Sequence, residues 1–199
     1  MSLILKNKLI FIHFPKTAGI FLSEIFEKNK VIEKKISFPK HKDTKPLFES
    51  EKTIHCNIST NTYSQEYKRF FFVRHPYSWY ESYINFKLKD GCKKCAENYY
   101  FDKTIKDKKD INTILNTLEK RKQSPMTEMF NIAKQNVWKI FKYENFEKSM
   151  KQLSELLSIK IDTRKKTNTT KHIAKLNEHN KQQICRIEHS IFSELQYNK

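Results

Sequence analysis

The sequence predicts an α/β fold: a three-layer sandwich around a mostly parallel central sheet. Three observations carry that prediction. Residues 9–13, 69–74 and 137–142 are short apolar runs of strand length. Each is followed by residues whose apolar members recur at helical spacing. The richest run, Arg69-Phe-Phe-Phe-Val-Arg74, has four successive buried-type residues, the pattern of a strand covered on both faces. Strands alternating with helices in this way build a parallel sheet flanked by helices.

The elements follow in order. Leu9 to His13 is a strand that stops at Pro15-Lys-Thr-Ala-Gly19, and Phe21, Leu22, Ile25 and Phe26 then mark a helix over about 20–29. Residues 30–50 read as a polar connection broken by Pro39 and Pro46. Thr53-Ile-His-Cys56 is a short β-prone run, with a polar helical turn near 60–66. The strand at 69–74 ends at His75-Pro76, and Trp79, Tyr80, Tyr83, Ile84 and Leu88 place a helix over 77–88. Residues 89–123, rich in lysine around Gly91, read as an insertion or lid of low order, with an amphipathic patch at Ile111, Ile114, Leu115 and Leu118. Ser124-Pro125 supplies an N-cap and a first-turn proline for a helix to about 135. Val137–Lys142 is the third strand, followed by a helix over 144–157 and a basic, Thr-rich loop at 160–172. Asn177 caps a final helix bearing Ile184, Ile187, Ile191, Phe192 and Leu195.

At 199 residues the chain is expected to form one domain, 1–199. Lys+Arg 39 against Asp+Glu 22 leaves +17, a field that attracts nucleotides, acidic glycans, nucleic acid or anionic membrane without choosing among them. No 18-residue apolar run exists, so no membrane span is expected, and the N-terminus lacks a signal-peptide pattern. Met1-Ser2-Leu3 is compatible with an expression scar. Cys56, Cys92, Cys95 and Cys185 are read as thiols of a cytoplasmic protein. Cys92-Lys-Lys-Cys95 resembles half a zinc site but has no second Cys/His pair at the right spacing, so no metal is expected.

The stretch at 9–22 is a strand, a tight loop and a helix start. That geometry aims backbone N–H groups and a helix N-terminus at one point, which suits an anion. Lys16 adds a mobile cation, Thr17 a hydroxyl, and Gly19 room for close approach to the backbone. Ligands of open α/β sheets sit at the carboxyl ends of the strands. Lys16, His55 and Arg74 all fall just past expected strands, which puts them on one rim.

Phe-Ile-His-Phe-Pro-Lys-Thr-Ala-Gly (11–19) and Phe-Phe-Val-Arg-His-Pro-Tyr-Ser-Trp-Tyr-Glu-Ser-Tyr (71–83) resemble the two cofactor-binding motifs of sulfotransferases that use 3′-phosphoadenosine 5′-phosphosulfate, PAPS. The likeness is to the carbohydrate type that includes heparan sulfate 2-O-sulfotransferase. Phe-Lys-Tyr-Glu-Asn-Phe (141–146) and Thr-Lys-His-Ile-Ala-Lys-Leu (170–176) resemble later motifs of that family, and 89–123 has no counterpart. The resemblance implies a P-loop-like sulfotransferase fold, PAPS as co-substrate, and a hydroxyl-bearing acceptor, taken to be a glycan.

It also implies roles for single residues. The loop at Lys16, Thr17, Ala18, Gly19, Ile20 and Phe21 would hold the 5′-phosphosulfate through backbone N–H groups and the Thr17 hydroxyl. Lys16 would neutralise the bridging oxygen as the S–O bond breaks, where charge grows mainly in the transition state. Arg74 and Ser82 match the pair that binds the 3′-phosphate, with arginine supplying a bidentate fork. His55 follows the second strand and matches the general base, with Glu51 as substitute. Arg164, Thr169 and Lys171 are candidates for adenine or 3′-phosphate contacts, and His13 and His75 are expected to support rather than react. The departure is Ile20, where the family usually has Thr or Ser. Thr17 would partly compensate for the hydroxyl lost there.

Two other classes compete. A basic nucleic-acid-binding protein would explain +17, although no RNA- or DNA-binding motif is present and the basic residues are spread along the chain. A nucleotide-dependent phosphotransferase would explain an anion loop, but Walker spacing and paired carboxylates for Mg²⁺ are missing.

Overall fold

The structure, a computed structural model, describes residues 2–36, 66–89, 111–162 and 175–198. The β-prone run at 53–56, His55, Glu51, Gly91, the Cys92/Cys95 pair, and Arg164, Thr169 and Lys171 lie outside the described residues. Along the chain the elements are β1 (Ser2–Leu5), β2 (Leu9–Phe11), α1 (Gly19–Lys28), β3 (Ile32–Ile36), β4 (Lys68–Val73), α2 (Pro76–Lys89), α3 (Ile111–Lys120), α4 (Pro125–Ala133), β5 (Val137–Lys142), a 3-10 turn (Tyr143–Asn145), α5 (Phe146–Leu157), α6 (Glu178–Ile187) and α7 (His189–Glu194). They fall into two compact units. One draws on Met1–Lys40, Lys52–Arg74 and Asn131–Thr169, the other on His41–Glu51, His75–Phe130 and Thr170–Lys199.

The first unit is a five-stranded sheet in the order β3-β1-β2-β4-β5. β2, β4 and β5 are parallel neighbours, while β1 is antiparallel to both β2 and β3. Four of the five strands therefore point one way, and the expected mostly parallel α/β sheet is present. Alternate residues Leu3, Leu5, Leu9, Phe11, Phe70, Phe72 and Phe141 meet Leu22 and Phe26 of α1 and Met150, Leu153 and Leu157 of α5 in one apolar core. Phenylalanine rings step across the strands, Phe11 to Phe70 at 5.6 Å and Phe72 to Phe141 at 5.1 Å. Such pairs add about 0.5–1.5 kcal/mol each beyond area burial. Ile4, Ile10, Phe71 and Val73, on the alternate positions, are also buried, which is why these strands read as unbroken apolar runs.

Two strands were not legible. β1 has all four residues buried, so Ser2 and Leu3 belong to the sheet. β3, Ile-Glu-Lys-Lys-Ile, lies within the stretch read as a polar connection. It is an edge strand with three exposed charged residues, a composition that guards edges against further pairing and looks like loop.

The second unit is helical. Trp79, Tyr80, Tyr83 and Ile84 of α2 are buried as the spacing requires, with Trp79 and Tyr83 stacked at 4.7 Å. Residues 111–120, included in the segment read as low in order, form a helix whose Ile111, Ile114, Leu115 and Leu118 are all buried. A polar ladder ties this helix to α6. Asn180 Nδ2 donates to Asn112, Gln183 Nε2 to Asn116 and Arg186 Nε to Glu119. The amphipathic patch thus has partners that only the fold supplies.

Asn177 caps α6 as expected, in a capping box: its Oδ1 accepts from Asn180 N–H at 2.8 Å and Asn180 Oδ1 accepts in return at 3.2 Å. The single final helix is divided at Glu188, whose N–H closes α6 on Ile184 and whose carbonyl opens α7 by accepting from Ile191 and Phe192. The Glu188 side chain is fully buried. Its carboxylate accepts from Tyr80 Oη at 2.6 Å, Met126 N–H at 3.0 Å and Thr127 N–H at 2.8 Å. Pro125 does open α4, and the Ser124 carbonyl accepts the first helical bond from Glu128 at 2.8 Å. The orphan N–H groups of that first turn, however, are satisfied by Glu188 from 61 and 62 residues away.

Burial lifts the Glu188 carboxyl above its ordinary value of 4.5, against the pull of the Thr127, Tyr80 and Met126 bonds. Glu188→Ala leaves three buried donors without an acceptor and is expected to cost roughly 2–4 kcal/mol in urea unfolding. For an acid with a raised pKa, the linked stability is fully present below the unfolded value and drains away as pH climbs through the folded one. As pH rises from about 4 through the raised folded-state value, the unfolding midpoint of the native chain should therefore fall relative to that of Glu188→Gln; parallel profiles would count against this linkage.

Candidate anion-binding site

The loop after β2 is shaped by its own bonds. Ile12 N–H still pairs with Phe70 C=O at 2.9 Å, and Phe14 N–H then folds back to Ile12 C=O at 3.0 Å, a tight turn centred on His13. Lys16 and Ala18 are both left-handed, φ 62° and 64°, with Thr17 between them on the negative side. Alternating φ signs turn successive N–H groups toward one concavity, an anion nest. Neither lysine nor alanine favours this conformation, which costs about 1–2 kcal/mol per residue.

What holds the strain is Thr17. Its side chain is fully buried, and its hydroxyl donates to Phe14 C=O at 2.7 Å. The hydroxyl expected to touch the anion is thus spent inside the loop, and Thr17 faces a ligand only through its backbone N–H.

α1 begins at Gly19, and its first helical bond runs from Leu22 N–H to Ala18 C=O at 3.0 Å. The N–H groups of Gly19, Ile20 and Phe21 precede that bond, no side chain caps Ala18, and the first turn holds no acidic residue. The positive end of the helix is left open, as an anion site requires. Ile20 stands 55% exposed on this turn, so the family's hydroxyl position is solvent-facing here and apolar. Gly19 is not left-handed; the His13 ring lies against it where a Cβ would stand.

β4 and β5 run in parallel register with Val73 opposite Lys142, so residues 74 and 143 leave the sheet side by side. The Arg74 guanidinium lies over the Tyr143 ring at 5.0 Å from its centre. This cation–π contact favours keeping the guanidinium beside the Tyr143 ring. Tyr143 touches Phe146 at 5.3 Å, and Phe146 touches Phe21 of the first turn of α1 at 5.8 Å. Rings therefore connect the arginine to the helix start within the first unit. Lys16, Arg74 and Tyr143 follow the carboxyl ends of three parallel neighbours, the rim expected for a ligand.

Tyr143 and Phe146 were not singled out as site residues, although both lie in the Phe-Lys-Tyr-Glu-Asn-Phe stretch. Their part depends on β4 and β5 being neighbours, which spacing does not reveal. Ser82 is half-buried on α2, in the second unit. His75, in the same unit, is fixed by Tyr77 N–H donating to Nδ1 at 3.3 Å and by Nε2 at 3.1 Å from the Asn198 carbonyl. Its ring packs among Tyr77, Phe192 and Tyr197. Among the described residues no three His, Cys, Asp or Glu side chains gather to hold a metal, and no helix is long and apolar enough to cross a membrane.

The strained loop can be tested without a ligand. Ala18→Gly, which removes the left-handed penalty, is expected to raise stability by about 1 kcal/mol in thermal or urea unfolding. Thr17→Val, which deletes the hydroxyl at nearly constant volume, should lower it by about 1–3 kcal/mol. A neutral result for both would mean the loop carries no stored strain.

Comparison with known proteins bears on this arrangement. No curated protein and no solved structure matches the chain. A family model described as the sulfotransferase family matches residues 4–198, a span that includes the loop at 12–21, Arg74 and the Tyr143 turn. An open helix start behind an anion nest is what transfer of a sulfonate group calls for, and the chain belongs to the sulfotransferase family.

Proposed function

We propose that this enzyme moves a sulfonate group from PAPS to a hydroxyl of a carbohydrate acceptor by direct in-line displacement. The observation that carries the reading is the uncapped first turn of α1 behind the Lys16–Ala18 nest, with the Arg74 guanidinium over the Tyr143 ring in the same unit. PAPS, when bound, supplies an activated sulfonate and carries two separate anionic groups. The nest and the N–H groups of Gly19, Ile20 and Phe21 suit the 5′ group, and the Arg74 fork suits the 3′-phosphate, with Ser82 proposed as its second donor.

Within this scheme the acceptor oxygen forms its bond to sulfur as the sulfur–oxygen bond to the 5′-phosphate breaks. His55 takes the acceptor proton, and Lys16 offsets the charge that builds on the leaving oxygen. Arg164, Thr169 and Lys171 remain proposed contacts for the nucleoside and 3′-phosphate. A net charge of +17 favours an acidic glycan over a neutral one as acceptor. The inward-turned Thr17 hydroxyl gives Ile20 more weight, because nothing on Thr17 replaces the hydroxyl that position 20 lacks.

Transfer of radiolabelled sulfonate from PAPS to a panel of glycans tests the proposal directly. Lys16→Ala is expected to cut turnover at least about 100-fold while PAP affinity moves only a few-fold. Arg74→Ala should weaken PAP by roughly 10- to 100-fold, and Arg74→Lys should restore little of it. Ile20→Thr is expected to tighten PAP by about 5- to 30-fold, the equivalent of one charge-assisted hydrogen bond. Small, equal effects from Lys16→Ala and Arg74→Ala, or salt-sensitive binding of RNA with none of PAP, would argue for a different class of protein.

A further inference from the structure

We infer that His13 is a positioning residue of the anion loop, and that residue 19 is glycine because of His13 rather than because of the ligand. This deepens the proposed function and rests on it for the identity of the anion. A Cβ built on Gly19 would fall 1.8 Å from His13 Cδ2 and 2.0 Å from Nε2, in the edge of the imidazole itself. Real Cβ atoms essentially never make such contacts, so either the imidazole or the loop would have to shift. Conformational freedom does not explain the glycine, since its φ lies outside the left-handed region.

The turn from Ile12 C=O to Phe14 N–H takes His13 out of strand alternation. The half-buried ring tilts against Phe11 of the core, with centres 6.3 Å apart, and its edge lies where a side chain on Gly19 would stand. Residue 13 leaves the sheet and residue 19 opens the helix, so the ring pins the two ends of the loop together. Between them Thr17 ties back to Phe14. The position of the nest and of the open N–H groups relative to β2 is then set by one steric fit: an imidazole against a residue with no side chain.

Five proteins decide the matter: native, Gly19→Ala, His13→Ala, the double variant and His13→Phe, each followed by urea unfolding and by calorimetry with PAP. Gly19→Ala alone should lower the unfolding midpoint, or prevent folding, and weaken PAP at least about tenfold. In the His13→Ala background the same methyl should be tolerated, changing PAP affinity by no more than about twofold relative to His13→Ala. His13→Ala itself should weaken PAP several-fold, and His13→Phe, which refills the volume without ring nitrogens, should bring affinity back. Equal damage from Gly19→Ala in both backgrounds, including a double variant that does not fold, would overturn the inference. So would a His13→Ala protein that binds PAP like the native one, or a His13→Phe protein that binds no better than His13→Ala. A native chain that ignores PAP while the unfolding data still show rescue would refute the PAPS reading and leave the steric fit standing.

Discussion

A single buried hydrogen bond, from the Thr17 hydroxyl to the Phe14 carbonyl, underlies the arrangement at the carboxyl end of the sheet. Lys16 and Ala18 are held in a backbone conformation that neither residue prefers, and a loop left to itself would relax out of it. With Thr17 fully buried, that relaxation would require pulling a side chain out of the interior and leaving a carbonyl unpaired. The alternating backbone is therefore stable because it is anchored inward, and no side chain caps the start of α1 at Ala18.

The second half of the site depends on register. β2, β4 and β5 are parallel neighbours, so the chain leaves all three at the same end, after Phe11, Val73 and Lys142. The interlocked Phe11, Phe70, Phe72 and Phe141 rings set that register, since a one-residue slip would turn them off the core face. From the same packing Tyr143 arrives beside Arg74, with its ring centre 5.0 Å from the guanidinium. Arginine carries the charge and the fork, and the aromatic ring beside it comes from the turn that follows the neighbouring strand. In the second unit Glu188 plays a comparable organising part, joining α2, α4 and the α6–α7 break through three donated bonds.

The sequence by itself determined the strong apolar strands β2, β4 and β5, the helices that follow each of them, the Asn177 cap and the loop with Lys16. These rest on local periodicity and on short-range capping, interactions that a single segment carries within itself. Tertiary structure alone decided the rest. β1 and β3 are too short or too charged to announce themselves and exist because neighbours pair with them. The helix at Ile111–Lys120 is ordered by its ladder to α6, and the first turn of α4 is satisfied by Glu188 from far along the chain. At the site, spacing could not show that the Thr17 hydroxyl turns inward to the Phe14 carbonyl, or that the His13 ring lies where a side chain on Gly19 would stand. Spacing can name the residues of a loop, but which way each side chain turns depends on what packs behind it, and that is a property of the folded core.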